Sequence, residues 1–477
     1  MPQMIINGQK VNALSGQTLD VLSPVDGNVF TTIPKGAKED VNVAVHAARD
    51  AVEHHWKKFT ATERGRLLMK LSQKVLEHAE ELAQLEAKDT GKSMTTARND
   101  INVLARYFEF YGGGADKVHG QVIPFFNEYN VQVIREPLGV TAHIIPWNYP
   151  AQMLGRSVAP ALAMGNACVV KPAEDACLSV IRVAELAIEV GFPPGTLNIV
   201  TGLGEEAGAA LSSHPDINFV SFTGSNEVGV LVQQAAAVNA VKCVLELGGK
   251  SAHIVFNDAD FKLAVPTIVK GIIANTGQTC TAGSRLLVQR GIYDEFMSLI
   301  AEEFAKVKVG TPEMDLNCGP VVNKSQYDRV RRYVETGKSE GLQVLAEGKI
   351  DEGVPKGGYY VLPTLFSAEK HDSVLFQDEI FGPVLVATPF DTEEDAIRLA
   401  NATNYGLMGA VWSENGSTQQ RVAKGMKCGQ VYINGFGAGG GVELPFGGVK
   451  RSGHGREKGF LALEEMSTTK TVIQYHG

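Results

Sequence analysis

From Gly139 to about Gly248 the chain repeats one rhythm: a short apolar run, a loop, then an amphipathic stretch. Residues 140–145, 167–170, 197–200, 219–222 and 241–245 read as strands, with helices at 157–164, 179–190, 206–212 and 226–237 between them. Strands joined by helices of this length need crossover connections, so the predicted architecture is α/β with a parallel, doubly wound sheet. A second α/β unit follows from 251 to about 446, with strands at 252–255 and 285–289, a helix running to 275 and another at 293–307.

The chemistry concentrates between Val241 and Arg285. Glu246 ends an apolar run and is followed by Leu-Gly-Gly-Lys250, so its carboxylate is expected at a strand end. About thirty residues later comes Gly277-Gln-Thr-Cys280, where small neighbours leave sulfur open on a loop. A thiol beside a carboxylate suits covalent catalysis with a water-activating base. On spacing alone, a cysteine of this kind is more often a buried small hydrophobe, and Glu246 reads equally as a cap on the Gly248-Gly249 turn.

The chain has 477 residues, more than one core can use, and predicts two or three domains. Its net charge of −9 argues against nucleic acid and anionic membrane surfaces as partners. No apolar run reaches membrane-spanning length, and the first residues lack the pattern of a secretion signal, so a cytoplasmic setting is expected. Six cysteines without a CxxC pair (Cys168, Cys177, Cys243, Cys280, Cys318, Cys428) argue against disulfides and a structural metal site.

Outside the alternating region, residues 1–37 read as short strands. Helical stripes run through Val41, Val45 and Ala48, and then from Leu67 to Leu85. A third helix is predicted over 95–110, stopping at Gly112-Gly113-Gly114. Residues 119–137 form an apolar β-ribbon that needs a covering surface. Gly437-Ala-Gly-Gly-Gly441 reads as a flexible loop. The β-prone tail at 467–475 is expected to be an isolated strand that finds its partner in another subunit.

Glu246-Leu-Gly-Gly-Lys250 and Gly277-Gln-Thr-Cys280 resemble, in order and interval, two signature motifs of the aldehyde dehydrogenase superfamily, and the resemblance extends over essentially the whole chain. It implies a Rossmann-type cofactor domain (1–118 and 138–248), an α/β catalytic domain (249–447) and a small β oligomerisation arm (119–137 and 466–477) of a homodimer or homotetramer. It also implies NAD(P)-dependent oxidation of an aldehyde to the acid through a Cys280 thioester, with Glu246 activating water. Ile145-Pro146-Trp147-Asn148 resembles the segment that lies along the cofactor and supplies the Asn148 amide to the oxyanion. Lys171 and Glu174 match ribose-holding residues; a carboxylate at Glu174 would repel a 2′-phosphate, which favours NAD while leaving NADP open.

Gly204 and Gly208 lie in a glycine-rich turn after a strand, and Phe222-Thr223-Gly224-Ser225 in a strand-to-helix turn suited to phosphate. By resemblance these residues, with Leu247 and Gly248, also contact the cofactor, Glu379 holds the nicotinamide ribose and Phe381 packs near the ring. Glu457 matches a helper carboxylate for proton relay, although the lysine that cooperates with it in many relatives is replaced here by Ser157. Met153 and Arg156 match tunnel-lining positions; an arginine there suits a semialdehyde or an aromatic aldehyde, unless it faces solvent or a nearby Asp. Two other readings stay open: a coenzyme A-acylating dehydrogenase, which commonly lacks a carboxylate at Glu246, and a catalytically idle relative acting as a binding protein.

Overall fold

Two central sheets meet where the chemistry concentrates. In a computed structural model, which describes residues 2–369, 371–437 and 441–477, the first sheet has eight strands. Their order is Gln9–Val11, Met4–Ile6, Leu197–Ile199, Ala167–Pro172, Val140–Ile145, Phe219–Thr223, Lys242–Glu246 and Gly453–His454. The five central strands are parallel, in a register that sets Thr223 opposite Glu246. Both faces of these strands are covered, which is why they read as unbroken apolar runs.

The second sheet runs Gln343–Glu347, Thr364–Ser367, Val384–Phe390, Arg285–Gln289, Ala252–Val255, Met408–Trp412 and Gln430–Ile433, with only the first strand antiparallel. Glu246 closes a strand of one sheet and Ala252 opens a strand of the other, so residues 247–251 form the seam. At that seam a Cβ on Gly249 would lie 2.3 Å from the Cys280 carbonyl oxygen, so only glycine lets the two signature segments touch.

Three helices differ from expectation. The stripe from Leu67 to Leu85 is two helices, Ala61–Glu77 and Ala79–Thr90, broken at His78. The next runs Met94–Gly114, through the glycines expected to end it. A Cβ on Gly65 would lie 2.4 Å from the Gly112 carbonyl, so these glycines serve a close helix crossing instead of a stop. The helix expected from 157 begins at Pro150 and runs to Ala163, since proline at the first helical position costs no hydrogen bond.

The tail is not an orphan. Ser467–Tyr475 pairs antiparallel with Tyr129–Pro137 of the same chain, from Ser467 opposite Pro137 to Tyr475 opposite Tyr129. The expected partner in another subunit is therefore corrected, because the ribbon and the tail satisfy each other's ladder. Gln121–Ile123 completes this three-stranded sheet, which leaves Val122, Phe126, Ile473 and Tyr475 exposed. The glycine-rich loop expected at 437–441 lies for its central part (438–440) outside the described residues. Among the described residues no helix is long and apolar enough to cross a membrane, and no metal-ligating cluster is gathered. All six cysteines are unpaired.

Candidate active site

Glu246 is the last residue of its strand and is almost fully buried, and Arg156 Nη2 lies 3.4 Å from Glu246 Oε2. Burial pushes the Glu246 carboxyl well above the ordinary carboxylate range; Arg156 opposes the rise and Glu457 adds to it. A carboxyl shifted in this way suits a general base working near neutrality.

Cys280 follows a sharp turn in which Asn275 and Thr276 adopt left-handed backbone (φ 48° and 56°). Gly277 (φ 73°) packs against Gly382, whose carbonyl carbon would lie 2.2 Å from an added Cβ. The thiol is not on the open loop that its small neighbours suggested. It is half-buried against Leu407, Met408 and Phe446, three residues far away in sequence. That burial pushes the thiol up to about 12, with Arg156 acting in the opposite direction and Glu379 and Glu246 reinforcing it. The resting group is therefore a thiol, which must give up its proton as it attacks.

Asn148 lies on the loop before the helix Pro150–Ala163, with its Nδ2 donating to the Gln278 carbonyl at 2.9 Å. Its own carbonyl accepts from Asn275 Nδ2 at 2.9 Å and from Lys92 Nζ at 3.0 Å. Lys92 is in turn held by Asp100 at 2.6 Å and Glu86 at 3.4 Å, all three side chains being buried. Nothing in the sequence motifs pointed to this ionic support.

The structure groups the expected cofactor residues along the carboxyl ends of the first sheet. Lys171 Nζ pairs with Glu174 at 2.7 Å. Ser225 caps the helix Asn226–Ala237, accepting from Val228 N, one residue after Gly224 and just past the strand carrying Phe222 and Thr223. Gly204 and Gly208 face open space: a Cβ at either would meet nothing within 4 Å. Trp147, which follows Ile145 and Pro146, meets Phe381 edge-on with ring centroids 5.4 Å apart. Phe381 itself has a left-handed φ of 62°, and its carbonyl accepts from Gln326 Nε2 at 2.6 Å. Glu379 accepts from Gly249 N at 2.9 Å, beside Leu247 and Gly248, and burial raises its carboxyl to about 7.

Arg156 does not face solvent or an aspartate. Its Nε pairs with Glu457 Oε2, and its guanidinium lies 4.3 Å from the centroid of the Phe446 ring. Glu457 Oε1 also accepts from Ser221 Oγ at 2.9 Å. Ser157 is spent on its own helix, donating to the Met153 carbonyl. A cavity of about 890 Å³ opens beside the Cys280 loop, lined by Tyr149, Gln152, Asp100, Thr279, Thr281 and Phe436 among others. Its lining includes Tyr149 and Gln152, and neither Met153 and Arg156 nor Cys280, Asn148 and Glu246. Sequence reasoning missed Tyr149 and Gln152; the only available signal was their position one and four residues after Asn148.

The aldehyde dehydrogenase family model matches residues 11–472. The chain belongs to the aldehyde dehydrogenase family. It is 42% identical over 476 residues to aldehyde dehydrogenase family 2 member C4 of Arabidopsis thaliana, covering 99% of this chain and 94% of that one. Hydroxyisobutyraldehyde dehydrogenase of Mycolicibacterium austroafricanum is 41% identical, at 99% and 93% coverage. Betaine aldehyde dehydrogenase of Staphylococcus aureus, solved in complex with NAD+, superposes with a TM-score of 0.97 at 38% identity, covering 100% of this chain and 95% of that chain. The dehydrogenase thus has the expected fold, and its activity is aldehyde oxidation.

Proposed function

We propose that this dehydrogenase oxidises an aldehyde to the free carboxylic acid with NAD, NADP being an acceptable second cofactor, and that Cys280 is the nucleophile. The observation that carries this reading is the convergence of thiol, carboxylate and amide from three segments: Cys280 packs on Phe446, whose ring lies against the Arg156 guanidinium that pairs with Glu246, and Asn148 is bonded to the residue two before Cys280. The residues grouped on the first sheet fit a dinucleotide. Ser225 and the helix start behind it offer N–H groups to phosphate, and the open space at Gly204 and Gly208 leaves room for it. Lys171 and Glu174 would hold a ribose, and Glu174 favours NAD over NADP.

Cys280 passes its proton to solvent water as sulfur adds to the carbonyl carbon, and the resulting oxyanion receives the Asn148 amide and the Cys280 N–H. When bound, NAD supplies the nicotinamide that accepts the hydride. The acyl group is then held on Cys280 as a thioester. Glu246 takes a proton from water as its oxygen adds to the acyl carbon, the C–S bond breaks, and the acid departs from a restored Cys280.

Arg156 is already answered by two carboxylates, which leaves it without charge to spare for an anionic semialdehyde. Tyr149, which follows Asn148 and bonds Thr279 beside Cys280, supports an uncharged polar or aromatic aldehyde. The division into a cofactor domain, a catalytic domain and an arm follows the two sheets and the three-stranded one. The exposed apolar residues of that arm support a homodimer or homotetramer. The test is Cys280→Ala: NADH formation ceases while NAD binding, followed by fluorescence quenching, persists. Full activity in that variant refutes the assignment. Benzaldehyde should exceed hexanal and succinic semialdehyde in kcat/KM; a preference for either of those two refutes the substrate class.

A further inference from the structure

Arg156 and the two carboxylates around it make an arrangement that the hydrolytic reading does not by itself require. Glu246 comes from the end of a parallel strand, Glu457 from a segment that pairs backbone-to-backbone with Phe446, and Arg156 from the second turn of the helix Pro150–Ala163. All three side chains are at least nine-tenths buried. The guanidinium faces Glu457 through Nε and Glu246 through Nη2, with its plane over Phe446, the ring that also packs on Cys280. Its neighbour Gly155 allows this depth: a Cβ there would lie 2.9 Å from Leu104 Cδ1 and 3.0 Å from Tyr107 Cβ on the adjoining helix.

We infer that Arg156 is a positioning residue that joins Glu246 and Glu457 into one ionic unit, so that the second carboxylate and the guanidinium together set how readily Glu246 takes a proton. The inference rests on the hydrolytic reading above. Two carboxylates buried this close destabilise each other's charge, and a cation between them relieves both. Other charged and titratable groups acting on this unit include Arg456 and Lys458 beside Glu457, Tyr107 and Tyr111 on the adjoining helix, and Cys280. Arg156 contacts both carboxylates directly, Glu457 through Nε and Glu246 through Nη2. Glu457 is anchored independently by Ser221 Oγ, so a change there reaches Glu246 through Arg156 and through the like-charge repulsion.

The two partners of Arg156 predict shifts of opposite sign. Arg156→Met keeps the bulk and removes the charge; Glu246 becomes harder to ionise, and the acidic limb of the kcat–pH profile moves up by roughly 1–3 units. Glu457→Gln removes the repelling charge and leaves Arg156 to Glu246 alone, so the limb moves down. Arg156→Lys returns the limb toward its original position. In both neutralising variants a first-turnover burst of NADH still forms, because the attack by Cys280 precedes the step that needs the base; in Arg156→Met the burst is slower, since Arg156 also favours the Cys280 thiolate. Difference infrared titration of the buried carboxyl band in the cofactor-free protein reads the same shifts without turnover. The inference is overturned if Arg156→Met leaves both limb and band in place, or if both variants move them in the same direction. Should Arg156→Met fail to fold, Glu457→Gln decides: a downward shift supports the unit and no shift overturns it. If the unaltered protein instead forms no NADH with any aldehyde, or releases acyl-coenzyme A, the hydrolytic reading fails, and the infrared shifts still report on the ionic unit.

Discussion

Replacing Lys92 by methionine removes a cation from a buried cluster that holds two carboxylates. Lys92 Nζ lies 2.6 Å from Asp100, 3.4 Å from Glu86 and 3.0 Å from the Asn148 carbonyl, with no more than 1% of any of the three side chains exposed. Breaking a buried ion pair by removing one partner costs about 3–5 kcal/mol, since the remaining charge has neither water nor a counter-ion. Burial already raises both carboxyls, Glu86 and Asp100, while Lys92 works against that rise. Without Lys92 their folded-state values climb further above the unfolded ones. The deficit is then full at neutral pH, shrinks as pH falls and the folded protein takes up protons, and disappears below the unfolded carboxyl range. Urea midpoints of both proteins at pH 7.5 and pH 5 measure this. Asn148 also loses one of the two bonds on its carbonyl, so kcat falls, by less than the roughly 10²–10³ expected for losing an oxyanion donor outright. An unchanged midpoint at pH 7.5, or a deficit that does not vary with pH, refutes this account of the cluster.

Two further outcomes follow from the site. With burial holding the Cys280 thiol up to about 12, its alkylation by iodoacetamide in the cofactor-free protein should still be rising at pH 10, and a plateau near pH 7–8 would contradict that burial. Glu379, raised to about 7 by burial, should make NAD binding tighten as pH climbs through 7 and the carboxylate becomes the better acceptor. In Glu379→Gln the Kd should be flat over the same range, and a native Kd that is equally flat counts against this contact.

The central strands were legible because parallel strands covered on both faces must be apolar throughout, and Glu246 was legible as the polar residue that ends such a run. What the sequence concealed was convergence. Small residues around Cys280 suggested openness, yet Leu407, Met408 and Phe446 close on it from a distant part of the chain. The sequence offered Arg156 as a substrate contact and gave no sign of its partners at 246 and 457. The glycines at 112–114 carry the same mark whether they end a helix or let two helices cross, and only the neighbour at Gly65 tells which. The tail looked orphaned because its partner strand is more than three hundred positions upstream: Arg135 bonds Ser467 across 332 residues.

That separation has a consequence for how the molecule is made. The ribbon 129–137 leaves the ribosome long before the strand that completes its ladder has been translated, and Gly453–His454, at the border of the first sheet, emerges almost as late. During most of synthesis the nascent protein therefore presents an unpaired, apolar β-edge. A chaperone able to hold such an edge has a defined segment to protect until the strand Ser467–Tyr475 is made.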